Sequence, residues 1–228
     1  MNTNNVKNMS YLFYDCRQLI SINLKNLNTE KVEQMNYMFA SCTELRTIDL
    51  TSINTKSVLN MKGMFYLCNN LQYLNISNFV TEKVKDMSYM FSNCHNLISL
   101  NISNFYTSSV NYMNYIFDSC YNLTYLDISN FNTENVLDMS YMFNDCYKLN
   151  SLNLSHFSTL SVRSMNHMFN GCKHITFLDI WNFKSQFAIN MEYLFKDCNE
   201  LISIKLSEFN TLKANNIGYI FSGCYKLI

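Results

Sequence analysis

A chain of 228 residues with 48% hydrophobic and 15% aromatic residues can bury a long core, and its 15% charged content is too low for a disordered tail. Lysine plus arginine and aspartate plus glutamate both number 17, so the formal net charge is zero, and without a run of like charge nothing marks a nucleic-acid footprint. The N-terminus, MNTNNVKNMSYLF, has no basic start followed by an apolar segment, and no apolar run is long enough to span a bilayer, so no membrane insertion by this chain is expected.

All nine cysteines share one spacing: Cys16, Cys42, Cys68, Cys94, Cys120, Cys146, Cys172, Cys198 and Cys224 lie 26 residues apart (42−16, 68−42 and so on) without insertion or deletion. A strict period of this length indicates a solenoid in which each unit packs on its neighbours. Residues 1–228 therefore read as a single repeat domain of eight units plus a partial ninth. The chain opens 15 residues before its first cysteine and closes 4 after its last, with no polar capping unit, which leads us to expect a fragment of a longer protein. Asn, Lys, Ile, Tyr and Phe are abundant while Pro is absent, a bias that fits an AT-rich genome and bears on source rather than mechanism.

In chain order each unit begins with a helical pattern. In the sixth unit Val136, Met139, Met142, Phe143 and Cys146 fall within an arc of roughly 120° at about 100° per residue, the apolar stripe of a core-facing helix. The spacing predicts helix over its last two turns. Thr133 followed by Glu134 resembles an N-cap, although Val136 equally suits an extended lead-in. After the cysteine, Leu152 and Leu154 alternate with Asn153 and Ser155, the period of a half-buried strand. The same alternation recurs as Ile22/Leu24, Ile48/Leu50, Leu74/Ile76, Leu100/Ile102, Leu126/Ile128, Leu178/Ile180 and Ile204/Leu206, predicting eight short parallel strands side by side. Helices are wider than strands, so the sheet should be concave with the helices outside.

Leu-x-x-Leu-x-Leu resembles the strand signature of leucine-rich repeats. The whole pattern Val-x-x-Met-x-x-Met-Phe-x-x-Cys-x-x-Leu-x-x-Leu-x-Leu-Ser-x-Phe-x-Thr resembles the BspA-like leucine-rich repeats of bacterial and protist surface proteins. The fold class implied is an α/β solenoid: a leucine-rich-repeat-like right-handed superhelix with a concave parallel sheet of short strands and short helices outside. Where ordinary leucine-rich repeats place a backbone-bonding Asn, this chain has Leu27, Ile53 and then Phe from Phe79 to Phe209, an aromatic spine in place of an asparagine ladder. The junction of the seventh and eighth units departs from the pattern, with Trp181 for Ser, Ser185 for Thr and Ala188 for Val.

Each cysteine closes an apolar stripe, where a free thiol behaves as a small hydrophobe, so the cysteine column reads as buried, reduced core. Disulfides between neighbours would leave one of the nine unpaired. Structural zinc needs paired ligands at short spacing, and Cys172 with His174 has no second pair nearby; His95, His156 and His167 occupy other positions of the unit. No metal or cofactor is expected. Asn23, Asp49, Asn75, Asn101, Asp127, Asn153 and Asp179 form a column that suits a cross-strand hydrogen-bonding ladder better than a calcium site. Asn75, Asn101 and Asn153 match glycosylation sequons that the repeat itself generates. The methionine column and the tyrosine column of Tyr11 to Tyr219 read as packing, the tyrosine hydroxyls wet.

Polar columns that follow the repeat do not converge in a pocket, so an enzyme is not expected. Five residues after each cysteine the column runs Ser21, Thr47, Tyr73, Ser99, Tyr125, Ser151, Phe177, Ser203, and nine after it Lys25, Thr51, Ser77, Ser103, Ser129, Ser155, Trp181, Ser207. Tyr73, Tyr125, Phe177 and Trp181 stand out from this background of small hydroxyls as ligand-binding anchors on the concave face. Phe177 and Trp181 should share one strand face roughly 13 Å apart, with Tyr125 about 10 Å across the ladder. The family resemblance implies a non-enzymatic protein-interaction or adhesion module with a protein or glycan ligand, at the cell surface or outside the cell as part of a longer protein. The alternative is a cytoplasmic leucine-rich-repeat scaffold.

Nearest-neighbour packing makes the unit modular. Removing residues 132–157 should keep the remainder cooperatively folded, because Ser158 then follows Phe131 in the place Asn132 held; removing half a unit should abolish the cooperative melt.

Overall fold

The computed structural model describes residues 2–228. The chain winds through successive coils, one per repeat, and the coils stack. The strands are β1 (Tyr73–Leu74), β2 (Ser99–Asn101), β3 (Tyr125–Asp127), β4 (Phe177–Asp179) and β5 (Ser203–Lys205). They form two parallel sheets, ordered β1-β2-β3 and β4-β5, in which equivalent residues of neighbouring units pair, Leu100 with Leu126 and Leu178 with Ile204. Eight strands in one sheet are thus corrected to five in two. The segments Ile22–Leu24, Ile48–Leu50 and Leu152–Leu154 alternate in sequence but form no strand, and the last of them separates the sheets.

The second correction concerns the helices: among the described residues there are none, and so no helix long and apolar enough to cross a membrane. The Met-x-x-Met-Phe-x-x-Cys segment is an arc of consecutive turns. In the sixth unit the N–H groups of Met142, Asn144 and Cys146 each donate to the carbonyl three residues back, at 3.2 Å. The N–H groups of Met139, Tyr141, Phe143 and Asp145 leave the coil altogether and donate to Ser164, Asn166, Met168 and Asn170 of the next one, at 2.7–3.0 Å. A helix needs each of those donors for its own carbonyl four residues back. Here the next coil takes every second donor, so the helix cannot form. Two backbone reversals per unit make this possible, with Tyr141 at φ 59° and Asp145 at φ 55°, the positive angle of the third position of a type II turn. With no helices, the width difference expected to make the sheet concave is absent.

This arc repeats in all nine units. Its parallel bridges run from Asn8 through Gln34 and Asn60 to Asn216 without a break. A second column reinforces it from inside. From Thr3 to Thr133 each buried threonine hydroxyl donates to one backbone carbonyl of the next coil and accepts that same residue's N–H: Thr133 bonds both the O and the N of Ser158 at 2.8 Å, and Thr29 bonds those of Asn54 at 2.9 and 2.7 Å, whereas the buried Thr159 hydroxyl makes neither bond. The N-cap reading of Thr133 gives way to this bridge. Ser185, the substitute for threonine in its unit, makes the same pair of bonds to Asn210.

The apolar positions converge as the spacing requires, because residues three apart in a turn lie on one side just as they do in a helix. The column Phe13, Phe39, Phe65, Phe91, Phe117, Phe143, Phe169, Phe195, Phe221 stacks ring on ring at 5.3–5.9 Å between centroids. Phe79, Phe105, Phe131, Phe157 and Phe183 form the second aromatic spine, also buried. The asparagine ladder missing at that position is displaced by one residue: Asn78 donates to Ile53 O at 2.9 Å and Asn104 to Phe79 O at 2.7 Å, each reaching the preceding coil.

Leu67 holds φ 61° in the column that elsewhere reads Asp, Ser, Asn or Gly. A left-handed conformation costs an L-residue with a bulky side chain about 1–2 kcal/mol. Leu67→Gly should therefore raise stability by about 0.5–1 kcal/mol in a denaturant melt. Gly171→Ala in the same column should lower it, since an added Cβ would sit 2.2 Å from Asp145 Oδ1. Equal effects of the two changes would refute the turn assignment.

Candidate functional site

The strand face carries the residues singled out above. Tyr73 begins β1 and Tyr125 begins β3, and the pairing Tyr73–Ser99–Tyr125 puts the small Ser99 between two exposed rings, 57% and 62% accessible. Two strand spacings separate the tyrosines by about 10 Å. Shallow troughs of about 430 and 250 Å³ lie on either side of Ser99, the first against Tyr73 and the second against Tyr125, with Asn101 lining both. Phe177 begins β4 in the other sheet, so the strand pairing that would tie it to Tyr125 is interrupted at Ser151. Trp181 is exposed, but β4 ends at Asp179 and Trp181 occupies the turn that follows, so the two do not share a strand. The four residues thus form two pairs, one in each sheet region.

Lys205 is a neighbour that the sequence reading passed over. Its ammonium lies 5.5 Å from the centre of the Phe177 ring and 3.1 Å from Asp179 Oδ2, so it is held across β4 and β5. It could have been found as the one lysine in a column otherwise of Asn and Asp.

The Asn/Asp column itself does something other than expected. Asn75, Asn101 and Asn153 each accept the N–H and the hydroxyl of the serine two residues on, and Asp49 does the same with Thr51. These bonds stay within one coil, closing a corner after the strand position, so the cross-strand ladder is corrected to a column of Asx turns. The Thr51 hydroxyl and N–H hold the exposed Asp49 carboxyl below its usual range. No group of three or more His, Cys, Asp or Glu side chains converges as a metal site among the described residues.

The cysteines are free. Seven are buried, Cys42 through Cys198; Cys16 in the first coil is exposed and Cys224 in the ninth half-buried, which departs from a uniformly buried column. From Cys42 onward each thiol donates to a phenylalanine carbonyl of the preceding coil, Cys146 to Phe117 at 3.2 Å for example. Burial pushes the Cys42 thiol up to about 11 and the Cys94 and Cys146 thiols well above the ordinary range. The nucleophilic thiolate is thereby suppressed.

Four overlapping segments, residues 1–99, 68–176, 91–203 and 151–227, match the family described as Mycoplasma protein of unknown function, DUF285. No curated protein matches. Among solved structures, the chain is similar to a leucine-rich repeat protein of T. pallidum, at 16% identity over 92% of this chain and 79% of that one with a TM-score of 0.46. A leucine-rich repeat protein from Bacteroides ovatus is similar at 16% identity over 96% and 68% of the two chains, TM-score 0.36. A leucine rich cell surface protein from Faecalibacterium prausnitzii is similar at 16% identity over 93% and 76%, TM-score 0.33. The fold described above stands on this chain's own hydrogen bonds.

Thiol exposure gives a direct check. A thiol-reactive dye should label Cys16 and Cys224 in the native protein, and the other seven only on denaturation; rapid native labelling of all nine would contradict the coil packing.

Proposed function

This chain belongs to the DUF285 family, and on that premise we propose that it is a non-enzymatic recognition module that binds a protein or glycan through its strand face. The observation that carries the reading is the placement of four large aromatic side chains, Tyr73, Tyr125, Phe177 and Trp181, exposed in columns whose other members are almost all Ser or Thr. Leaving bulky apolar surface in water is unfavourable where the same column accepts a hydroxyl, so its recurrence on one face is best accounted for by a ligand that covers it. Ser99, small between Tyr73 and Tyr125, leaves beside each ring a shallow trough in which a sugar ring or a flat side chain could lie against the aromatic face. The motif resemblance to BspA-like repeats supports a place on the cell surface and a role in adhesion, within a longer protein whose other parts would supply anchoring.

The test restores each column's own residue. Tyr73→Ser with Tyr125→Ser, and Phe177→Ser with Trp181→Ser, should leave the circular dichroism spectrum unchanged. Binding to whichever component of a glycan and matrix-protein array the parent chain captures should fall by more than tenfold in at least one pair, since such anchors typically cost roughly 2 kcal/mol or more when truncated. Array binding that survives both pairs would move recognition off the strand face. Protease shaving of intact cells that leaves the chain uncut would refute the surface location.

A further inference from the structure

A second surface lies away from the strand face, along the edge formed by the residues nine, eleven and twelve before each cysteine. There the coils leave a groove running between neighbouring units. Near the chain's beginning, a stretch of about 570 Å³ is lined by Lys7, Glu30, Lys31, Glu33 and Lys56 among others, so its cations have carboxylates beside them: Lys7 Nζ sits 3.0 Å from Glu33 Oε1. From Leu137 of the sixth unit to Lys213 of the ninth, the groove is lined by different chemistry. A stretch of about 450 Å³ is walled by Leu137, Leu160, Phe187 and Ile189, with Arg163 and Lys213 as its charged residues and no carboxylate in its lining. Leu160, Phe187 and Ile189 are 38–46% exposed.

Both cations line the groove, and the Lys213 ammonium is held there by a side-chain contact. The backbone of Arg163 is fixed between Leu137 and Ile189 in one column, by the bonds Arg163 N to Leu137 O at 2.9 Å and Ile189 N to Arg163 O at 2.8 Å, and its side chain lines the groove. Lys213 lies 4.5 Å from the centre of the Phe187 ring, a cation–π contact that holds the ammonium against the apolar wall. Among the described residues neither cation pairs with a carboxylate within ion-pair distance.

The geometry points to this groove as a docking site for an acidic, apolar-bearing peptide segment of a partner protein, its aliphatic or aromatic side chains on Leu160, Phe187 and Ile189 and its carboxylates on Arg163 and Lys213. Charge complementarity selects this occupant. The same edge carries its own acids in the lining of the first units, and none lines this stretch, so two positive charges face the groove without a counter-charge in its lining. An anionic membrane surface is the weaker fit, because such surfaces are usually read by clusters of roughly four or more basic residues on a broad face, and this slot offers two.

A short fluorescein-labelled peptide of alternating glutamate and leucine is the probe, with alternating lysine and leucine, and glutamate and serine, as controls. Fluorescence anisotropy should report binding of the first alone, weakened severalfold as salt is raised. Arg163→Glu with Lys213→Glu should weaken it by roughly tenfold or more, and Phe187→Ser severalfold. The strand-face pair Tyr73→Ser with Tyr125→Ser should leave it unchanged, which separates this groove from the recognition face proposed above. All of the groove substitutions are at exposed positions, and circular dichroism confirms that the fold is kept. Absence of binding, equal binding of the lysine peptide, or indifference to the charge reversal would overturn the proposal. So would binding to phosphatidylglycerol vesicles in place of the peptide, or a dimer in sedimentation velocity that the charge reversal dissolves.

Discussion

Everything in this fold depends on where the amide donors of the Met-x-x-Met-Phe-x-x-Cys arc point. Four per unit go to the carbonyls of the next coil, and the intervening ones close turns within their own coil. The arc is thereby ordered only against a neighbour, which makes the repeat obligatory: one coil on its own would leave those donors to water and its phenylalanine ring uncovered on both sides. The strand side is the weaker seam. It carries three residues of pairing per unit at most, forms no strand in the first two units and is interrupted again at the sixth, while the arc ladder is continuous from Asn8 to Asn216. Coil spacing is therefore set by the turn arc, and the sheets follow it.

That hierarchy explains what could be read from the residues and what could not. The period, the buried columns and the strand alternation follow from the amino-acid pattern, since the 26-residue spacing of cysteines and the burial of Val136, Met139, Met142 and Phe143 are the same fact seen twice. The helix was misread because positions i, i+3, i+4 and i+7 lie on one side of two successive type II turns as surely as on one side of a helix. A discriminating signal was present. The residue before each cysteine runs Asp15, Ser41, Leu67, Asn93, Ser119, Asp145, Gly171, Asp197, Gly223, in all but Leu67 a column of turn formers that a helix interior would disfavour. Gly63, Gly171 and Gly223 all sit at positive φ, and Gly63 replaces a tyrosine of the other reversed column. The strand-face residues were legible as departures from their columns. Their division between two sheets was not, because the break at Ser151 lies in backbone pairing that no side chain announces.

The same logic accounts for the asparagine content. In the sixth unit Asn132, Asp138 and Asn153 each accept an N–H two residues ahead, at 3.0, 2.8 and 3.2 Å, and so close three corners of one coil. Asn and Asp do this while tolerating unusual backbone angles, whereas proline would remove a donor that the ladder or a turn requires. Absence of proline and abundance of asparagine thus suit the fold, beside any bias in codon usage. The tyrosine column adds a surface counterpart to the buried rings: Tyr89, Tyr115, Tyr141 and His167 stack at 4.3–4.5 Å, closer than the phenylalanines beneath them. Gly63 interrupts that stack, and Tyr66 fills the gap edge-on between Tyr37 and Tyr89.

The departures from the repeat are concentrated, and their location matters. Among the described residues, the buried side-chain polar atoms left without a partner are Thr159 Oγ1, Asn170 Oδ1, Asp179 Oδ1 and Asn182 Oδ1, all in the seventh unit or at its junctions. The column mates of Thr159 from Thr3 to Thr133, and Ser185, bridge to the next coil, and Thr159 faces the junction where Trp181, Ser185 and Ala188 replace the usual residues. An unpaired buried acceptor or hydroxyl typically costs about 1–3 kcal/mol, so this junction is the least satisfied part of the stack. It is also where Phe177 and Trp181 stand exposed on one surface and Phe187 and Ile189 on another. A repeat that is otherwise uniform gains nothing in stability by breaking its pattern here. Local rules are commonly relaxed where a surface is shaped for contact, and the coincidence of unsatisfied core with two exposed aromatic surfaces makes the junction of the seventh and eighth units the place where this solenoid differs from a simple stack.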